Sequence, residues 1–227
     1  FTATGTPTET SGPITIQSLN TVNVTVSVNA DQLVVNSGGT ISINAAINLT
    51  VLNGGGDDLV LNSGGTISGA GNLQTQNTGV SMNIRFGSVF SAPLKVNTGT
   101  ASFYNSDYPN PAIFNGTITV DAGATFTVLG GGYFVRANNS VTNNGIIDGS
   151  SSTFIMKGSS LINNDTIRTT YFELDTSTSL TGTGVYKSAF ISVGSSGNIT
   201  LASNINFSPA NVLTVNSGGV INANTKV

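Results

Sequence analysis

The phrase LVVNSGGTISI, Leu33 to Ile43, returns almost unchanged as LVLNSGGTISG from Leu59 and as LTVNSGGVINA from Leu213. Looser copies are LKVNTGTASFY from Leu94, ITVDAGATFTV from Ile118, FIMKGSSLIN from Phe154 and ISVGSSGNITL from Ile191. Each joins two short alternating strands through a corner rich in Asn, Ser and Gly. Asn tolerates the left-handed backbone region and Gly enters it freely, so a corner such as Asn36–Gly39 turns sharply without strain. A second series runs alongside: Phe114, Phe134, Phe154, Phe172, Phe190 and Phe207 follow one another at nearly constant steps. Short strands and Gly-rich turns at a period of roughly 20 residues predict an all-β chain wound as a single-stranded parallel β-helix, a β-solenoid. The competing arrangement of the same strands is a β-sandwich.

In a solenoid each coil is one rung, and rungs stack about 4.8 Å apart through backbone hydrogen bonds. Equivalent inward side chains then lie above one another, so the Phe series is expected to form a core ladder of stacked rings. One corner phrase is expected per coil, with corner Asn residues bonding from rung to rung. Thr21–Val28, TVNVTVSV, alternates strictly and predicts Val22, Val24, Val26 and Val28 on the buried face. About ten rungs of roughly 17–26 residues fill residues 14–227 as one domain. Residues 1–13 are Thr-rich and read as an extended N-terminal segment. Irregular loops are expected near 81–93 and 104–111, where Pro and aromatics interrupt the pattern. With no amphipathic helix to cover the raw β edges, the rod is expected to belong to, or dock against, something larger.

Composition narrows the function. Charged residues are 7 per cent of the 227-residue chain, against about 25 per cent in ordinary globular domains, while hydrophobic residues are 38 per cent. Net charge is −3 and the seven basic residues are scattered, which speaks against nucleic acid. No apolar run approaches the roughly 18 residues of a membrane span. Zero Cys excludes disulfides and thiolate metal sites, and zero His removes the commonest general base and metal ligand. No cofactor, metal site or catalytic set is expected.

Three side-chain groups stand out as candidate sites. Asp57–Asp58 in NGGGDDL has acids beside glycines, but one copy with mismatched offsets does not make a calcium-binding β-roll repeat, and solvated turn acids are expected. Glu173 and Asp175 share a strand face, as a glycosidase pair would need, but Asp175 aligns with Lys157 one rung earlier, which predicts a surface ion pair instead. Tyr133 and Tyr171 each precede a ladder Phe and should face outward on one wall. With Tyr104 and Tyr108 in the irregular loop, they are the candidate glycan contacts. Thr residues form no ladder at fixed phase, as an ice-binding face would require.

The phrase L-x-V-N-S-G-G-x-I-x, with VDAGATFTV and NNGIIDG, resembles the β-helical repeats of very large secreted bacterial surface proteins. These are autotransporter and haemagglutinin-like passengers and, above all, repeat adhesins that Bacteroidota export by the type IX pathway. Asp165-Thr166-Ile167 is similar to the O-glycosylation tripeptide of that phylum. The resemblance implies a non-enzymatic, secreted protein of the cell surface: a stalk, an adhesin segment or a filament subunit. Its partners would be a cell-surface glycan or protein ligand, or other copies of itself end to end. The alternative is a β-helix that binds or cleaves polysaccharide.

Overall fold

A computed structural model describes residues 13–107, 109–129, 134–201, 205–208 and 212–223. All elements in these residues are strands, and every pairing between them is parallel. The chain winds as a three-faced β-solenoid. The first face opens with Ile14–Ile16, Leu33–Val35 and Leu59–Leu61 and ends with Asn206–Phe207; the second opens with Thr21–Val24 and Thr40–Ile43 and ends with Val212–Val215. Ile146–Met156 and Thr166–Leu174 each continue from the first face into the second, so these two faces form one 18-stranded sheet. The third face, from Val28–Ala30 to Val220–Ala223, is a separate 10-stranded sheet. Stacked strands at about 4.8 Å spacing make a rod of roughly 40–45 Å.

Coil length varies while register holds. Phe154 pairs with Phe172 across a short coil, whereas Leu33 pairs with Leu59 across a markedly longer one. The corners absorb the difference, which keeps inward side chains over inward side chains. The core is therefore a set of vertical columns, such as Leu33–Leu59–Met82 on the first face and Leu49–Leu73–Leu94–Ile118–Val141–Leu161 on the third. These residues are at most 3 % exposed. Each such side chain contributes about 1.5–3 kcal/mol by leaving water.

The repeated phrase builds a turn closed by a backbone bond from the fourth residue to the first: Gly39 N to Asn36 O at 2.8 Å, Ala124 N to Asp121 O at 3.0 Å and Gly219 N to Asn216 O at 2.8 Å. These turns sit at three different corners. Asn36–Gly39 leads from the first face to the second, Asp121–Ala124 from the third to the first, and Asn216–Gly219 from the second to the third. The expectation of one phrase per coil is thus corrected. The turn closes any corner, so its recurrence does not mark the phase of the coil.

Amide stacking between coils is present. Asn62 Nδ2 donates to Asn36 Oδ1 at 3.0 Å, and Asn36 Nδ2 to Gln17 Oε1 at 3.0 Å. Asn72 bonds Asn48, Asn138 bonds Asn115, and Asn222 bonds Asn198 in the same way. Asn143 and Asn163 do so inside the core, at 2.8 Å.

The rings form a continuous core series, but with different members from those expected. Phe90, Phe103, Phe114, Phe126, Phe154, Phe172 and Tyr186 are fully buried, with neighbouring centroids 4.3–6.3 Å apart. Half-buried Phe207 extends the series from Tyr186 at 5.5 Å. Phe134 and Phe190 are not part of it. Val135, Phe154, Phe172 and Ile191 share the inward column, and the preceding residues Phe134, Thr153, Tyr171 and Phe190 share the outward one. A slip of one residue reverses the face of a strand side chain, and unequal coils turned the near-regular Phe spacing into just such a slip.

Two further expectations are corrected. Within 81–93, Val80–Ile84 and Val89–Phe90 are regular strands with Met82, Ile84 and Phe90 buried. Pro93 stands just before the strand Leu94–Val96, where its missing N–H costs no ladder bond. Val26 lies in the corner between Thr21–Val24 and Val28–Ala30 and is 62 % exposed, because the alternating run spans a bend; Val22, in register with buried Ile41, is also exposed, at 42 %. In the stretch 104–111, Tyr104 ends the strand Thr100–Tyr104, and beyond it Asn105 accepts from Asp107 N at 2.8 Å and donates to Asn110 O at 3.0 Å. Residues 1–12 lie outside the described residues.

Candidate binding surface

The outward column of the second face runs Phe134, Thr153, Tyr171, Phe190, Val212. Tyr171 is 47 % exposed and Phe190 42 %, and their rings stack at 4.9 Å with planes inclined by 14°. The stack follows from register: each ring leaves its strand at the same level of neighbouring coils, and the rung spacing approximates the thickness of two aromatic faces. Together they form one flat apolar surface in contact with water. An aromatic pair exposed to this degree is a surface that can take the C–H face of a flat ligand.

Beside this platform, at the bend between first and second faces, lies an open concavity of about 350 Å³ lined by Ser150, Arg168, Thr169, Thr170, Lys187, Ala189 and Ser208. Thr170 and Ala189 immediately precede Tyr171 and Phe190, so the concavity and the platform share their strands. Its floor is fixed by the Thr169 and Ser188 hydroxyls, which bond each other at 2.7 Å in the interior. Thr170 Oγ1 donates to Ser150 O at 2.8 Å. Arg168 Nη2 donates to Asp148 Oδ2 at 2.6 Å, one coil below. Lys187 is the cation of the next coil, exposed and without an ion-pair partner among the described residues.

Of the candidate tyrosines, Tyr104 and Tyr171 lie on different faces of the coil. Tyr104 lies on the first face, half-buried, with its hydroxyl donating to Asp57 Oδ1 at 2.6 Å. Tyr108 and Tyr133 lie outside the described residues. Phe190 escapes sequence reasoning because Phe190-Ile191 is an apolar doublet in which alternation alone cannot say which residue points inward; its register with Tyr171 settles this.

The carboxylates take structural positions. Asp58 is fully buried rather than solvated, and accepts from Gly54 N at 2.6 Å and Ser81 N at 2.7 Å. Burial pushes its pKa up, those two backbone bonds oppose the rise, and Asp31 and Asp57 add to it. Glu173 is half-buried and also raised, by burial first and by Asp175 second, against the opposing charges of Arg136 and Lys157. Lys157 Nζ lies 2.7 Å from Asp175 Oδ2, the pairing that the strand offsets predict. Among the described residues, no group of three or more acidic side chains is arranged to hold a metal ion. No helix among them is long and apolar enough to cross a membrane.

Comparison with protein-family models, with curated proteins and with solved structures found no match. The fold class therefore stands on the strand topology of this chain itself.

Proposed function

We propose that the chain is a non-enzymatic structural or adhesive segment of a secreted, cell-surface protein. The observation that carries this reading is the unbroken parallel stack, in which successive coils share one apolar lumen and three hydrogen-bonded faces. Such a rod gains length and stiffness by repetition, which suits a stalk, an adhesin segment or a filament subunit. The sparse charge and the amide stacking fit a wall solvated by neutral groups. The resemblance of its corner phrases to type IX-exported Bacteroidota repeat adhesins supports the extracellular site. Immunogold labelling of intact source cells tests the reading: label at the surface supports it, and label confined to the cytoplasm overturns it.

A second reading, carbohydrate binding, is favoured by the stacked Tyr171–Phe190 pair. Side-chain rings half in water at the rung spacing offer a platform for saccharide rings. The two readings are compatible, since an adhesin can hold glycans along its wall. Cleavage has less support, because Asp175 is held by Lys157 at 2.7 Å in an ion pair.

A further inference from the structure

We infer that the bend beside the Tyr171–Phe190 platform binds an acidic saccharide, with a sugar ring on the two aromatic faces and its carboxylate or sulfate on Lys187. This rests on the carbohydrate reading of the platform and adds the class of sugar.

Three observations converge on the class. First, the concavity and the platform are contiguous, because Thr170–Tyr171 and Ala189–Phe190 each place one residue in both. Second, the concavity is locally cationic in a chain whose net charge is −3. The vertical series through its wall is Asp148, Arg168 and then Lys187, in successive coils. Asp148 is engaged by Arg168 at 2.6 Å, which leaves the Lys187 charge uncompensated by any carboxylate among the described residues. An anion arriving there meets the Lys187 ammonium, with Arg168 on the neighbouring rung of the same wall. Third, the lining includes the hydroxyls of Ser150, Thr170 and Ser208, side chains that exchange hydrogen bonds with sugar hydroxyls as donors or acceptors.

The platform separates a sugar from an acidic peptide. Its two rings are nearly parallel, at 14°, and form a flat strip rather than pockets for alternate side chains. Peptide capture on a solenoid would use an open sheet edge, where backbone bonds supply the affinity. The wall at Tyr171 has none to offer, since Tyr171–Leu174 is paired with a neighbouring strand on both sides.

The test is affinity electrophoresis and calorimetry of the full chain against a polyuronate, a sulfated polysaccharide, a neutral glucan and poly-glutamate. The expected result is binding of one or both acidic saccharides over the neutral glucan, weakening as salt rises because the Debye length falls below about 8 Å. Lys187→Met should lower that affinity about three- to tenfold, and Tyr171→Ala about tenfold or more, with unchanged circular dichroism and melting. Preference for a polyuronate or for a sulfated polymer identifies the anion. If the neutral glucan binds as well and only Tyr171→Ala matters, the acidic class is overturned while the carbohydrate reading stands. Equal binding of poly-glutamate overturns the proposal in favour of a peptide. If no saccharide binds, this proposal and the carbohydrate reading fall together, and the surface-rod reading is judged by its own labelling experiment.

Discussion

Phe126 lies over Ala101 in register, and its ring rests 4.3 Å from that of Phe103, two residues further along the neighbouring coil, with the planes inclined by only 11°. A large side chain over a small one lets each ring slide into the space its neighbour leaves. Phe114 over Ala137 repeats the device on the second face. Interiors are packed to crystal-like density, so such volume exchange is what allows the buried rings to share one lumen.

Truncation separates the buried series from the exposed pair. Phe126→Ala removes a fully buried ring and should cost about 3–5 kcal/mol, whereas Phe190→Ala should cost under about 1 kcal/mol. Urea unfolding followed by circular dichroism measures both. Similar losses for the two would contradict the inward and outward assignments.

Acid should act in an unusual direction at Glu173. Its folded pKa is raised above 4.5 by burial and by Asp175, so the folded state holds the proton more tightly than the unfolded chain. This group therefore adds stability as pH falls through the elevated folded pKa, the gain being complete below the unfolded value, and opposes folding at neutral pH. Glu173→Gln removes that dependence. Urea midpoints of the two proteins from pH 7 to pH 4 should show the wild type gaining on the variant, and a widening deficit would refute the sign.

Two corner glycines should differ for a geometric reason. Gly123 has φ +78° but open space where a Cβ would point, so Gly123→Ala carries only the backbone penalty of about 1–2 kcal/mol. At Gly116 an added Cβ would run into the Ala92 carbonyl of the adjacent coil. Gly116→Ala must push two rungs apart and should be the more destabilising, measured by thermal melting of both variants.

Ion pairs on the wall should matter little. Lys157 and Asp175 are about one-third exposed, at 33 % and 37 %, so a double-mutant cycle with Lys157→Met and Asp175→Asn should give a coupling below about 1 kcal/mol, shrinking in high salt. A larger, salt-insensitive coupling would show that the wall excludes water more than its exposure implies.

Much of the architecture was legible because a solenoid writes its period into the chain. Strand, corner and next strand recur, and the stacked Asn residues and the Lys157–Asp175 pair follow from equivalent positions in adjacent coils. Phase was harder. Phe134 and Phe190 carry the same letter as Phe154 and Phe172 yet sit one position earlier in register, and coils of unequal length hide that offset. The corner phrase misled for a related reason: a four-residue turn closes any of three bends, so it reports curvature without saying which face comes next. Tyr171 was readable as outward from its place before Phe172, but its partner Phe190 became visible only through register. Likewise the concavity at Lys187 depends on Ile146–Met156 and Thr166–Leu174 passing from one face to the next as continuous strands, which periodicity does not announce.

Because pairing is preserved while the corners differ in length, the bends act as slack. Extra residues inserted at an exposed corner tip such as Gly56, where a Cβ would meet only open space, would bulge into water and leave the strand pairing above and below in place. Natural variation or grafted epitopes should accumulate there, giving a rod whose decoration changes freely while its axis stays the same.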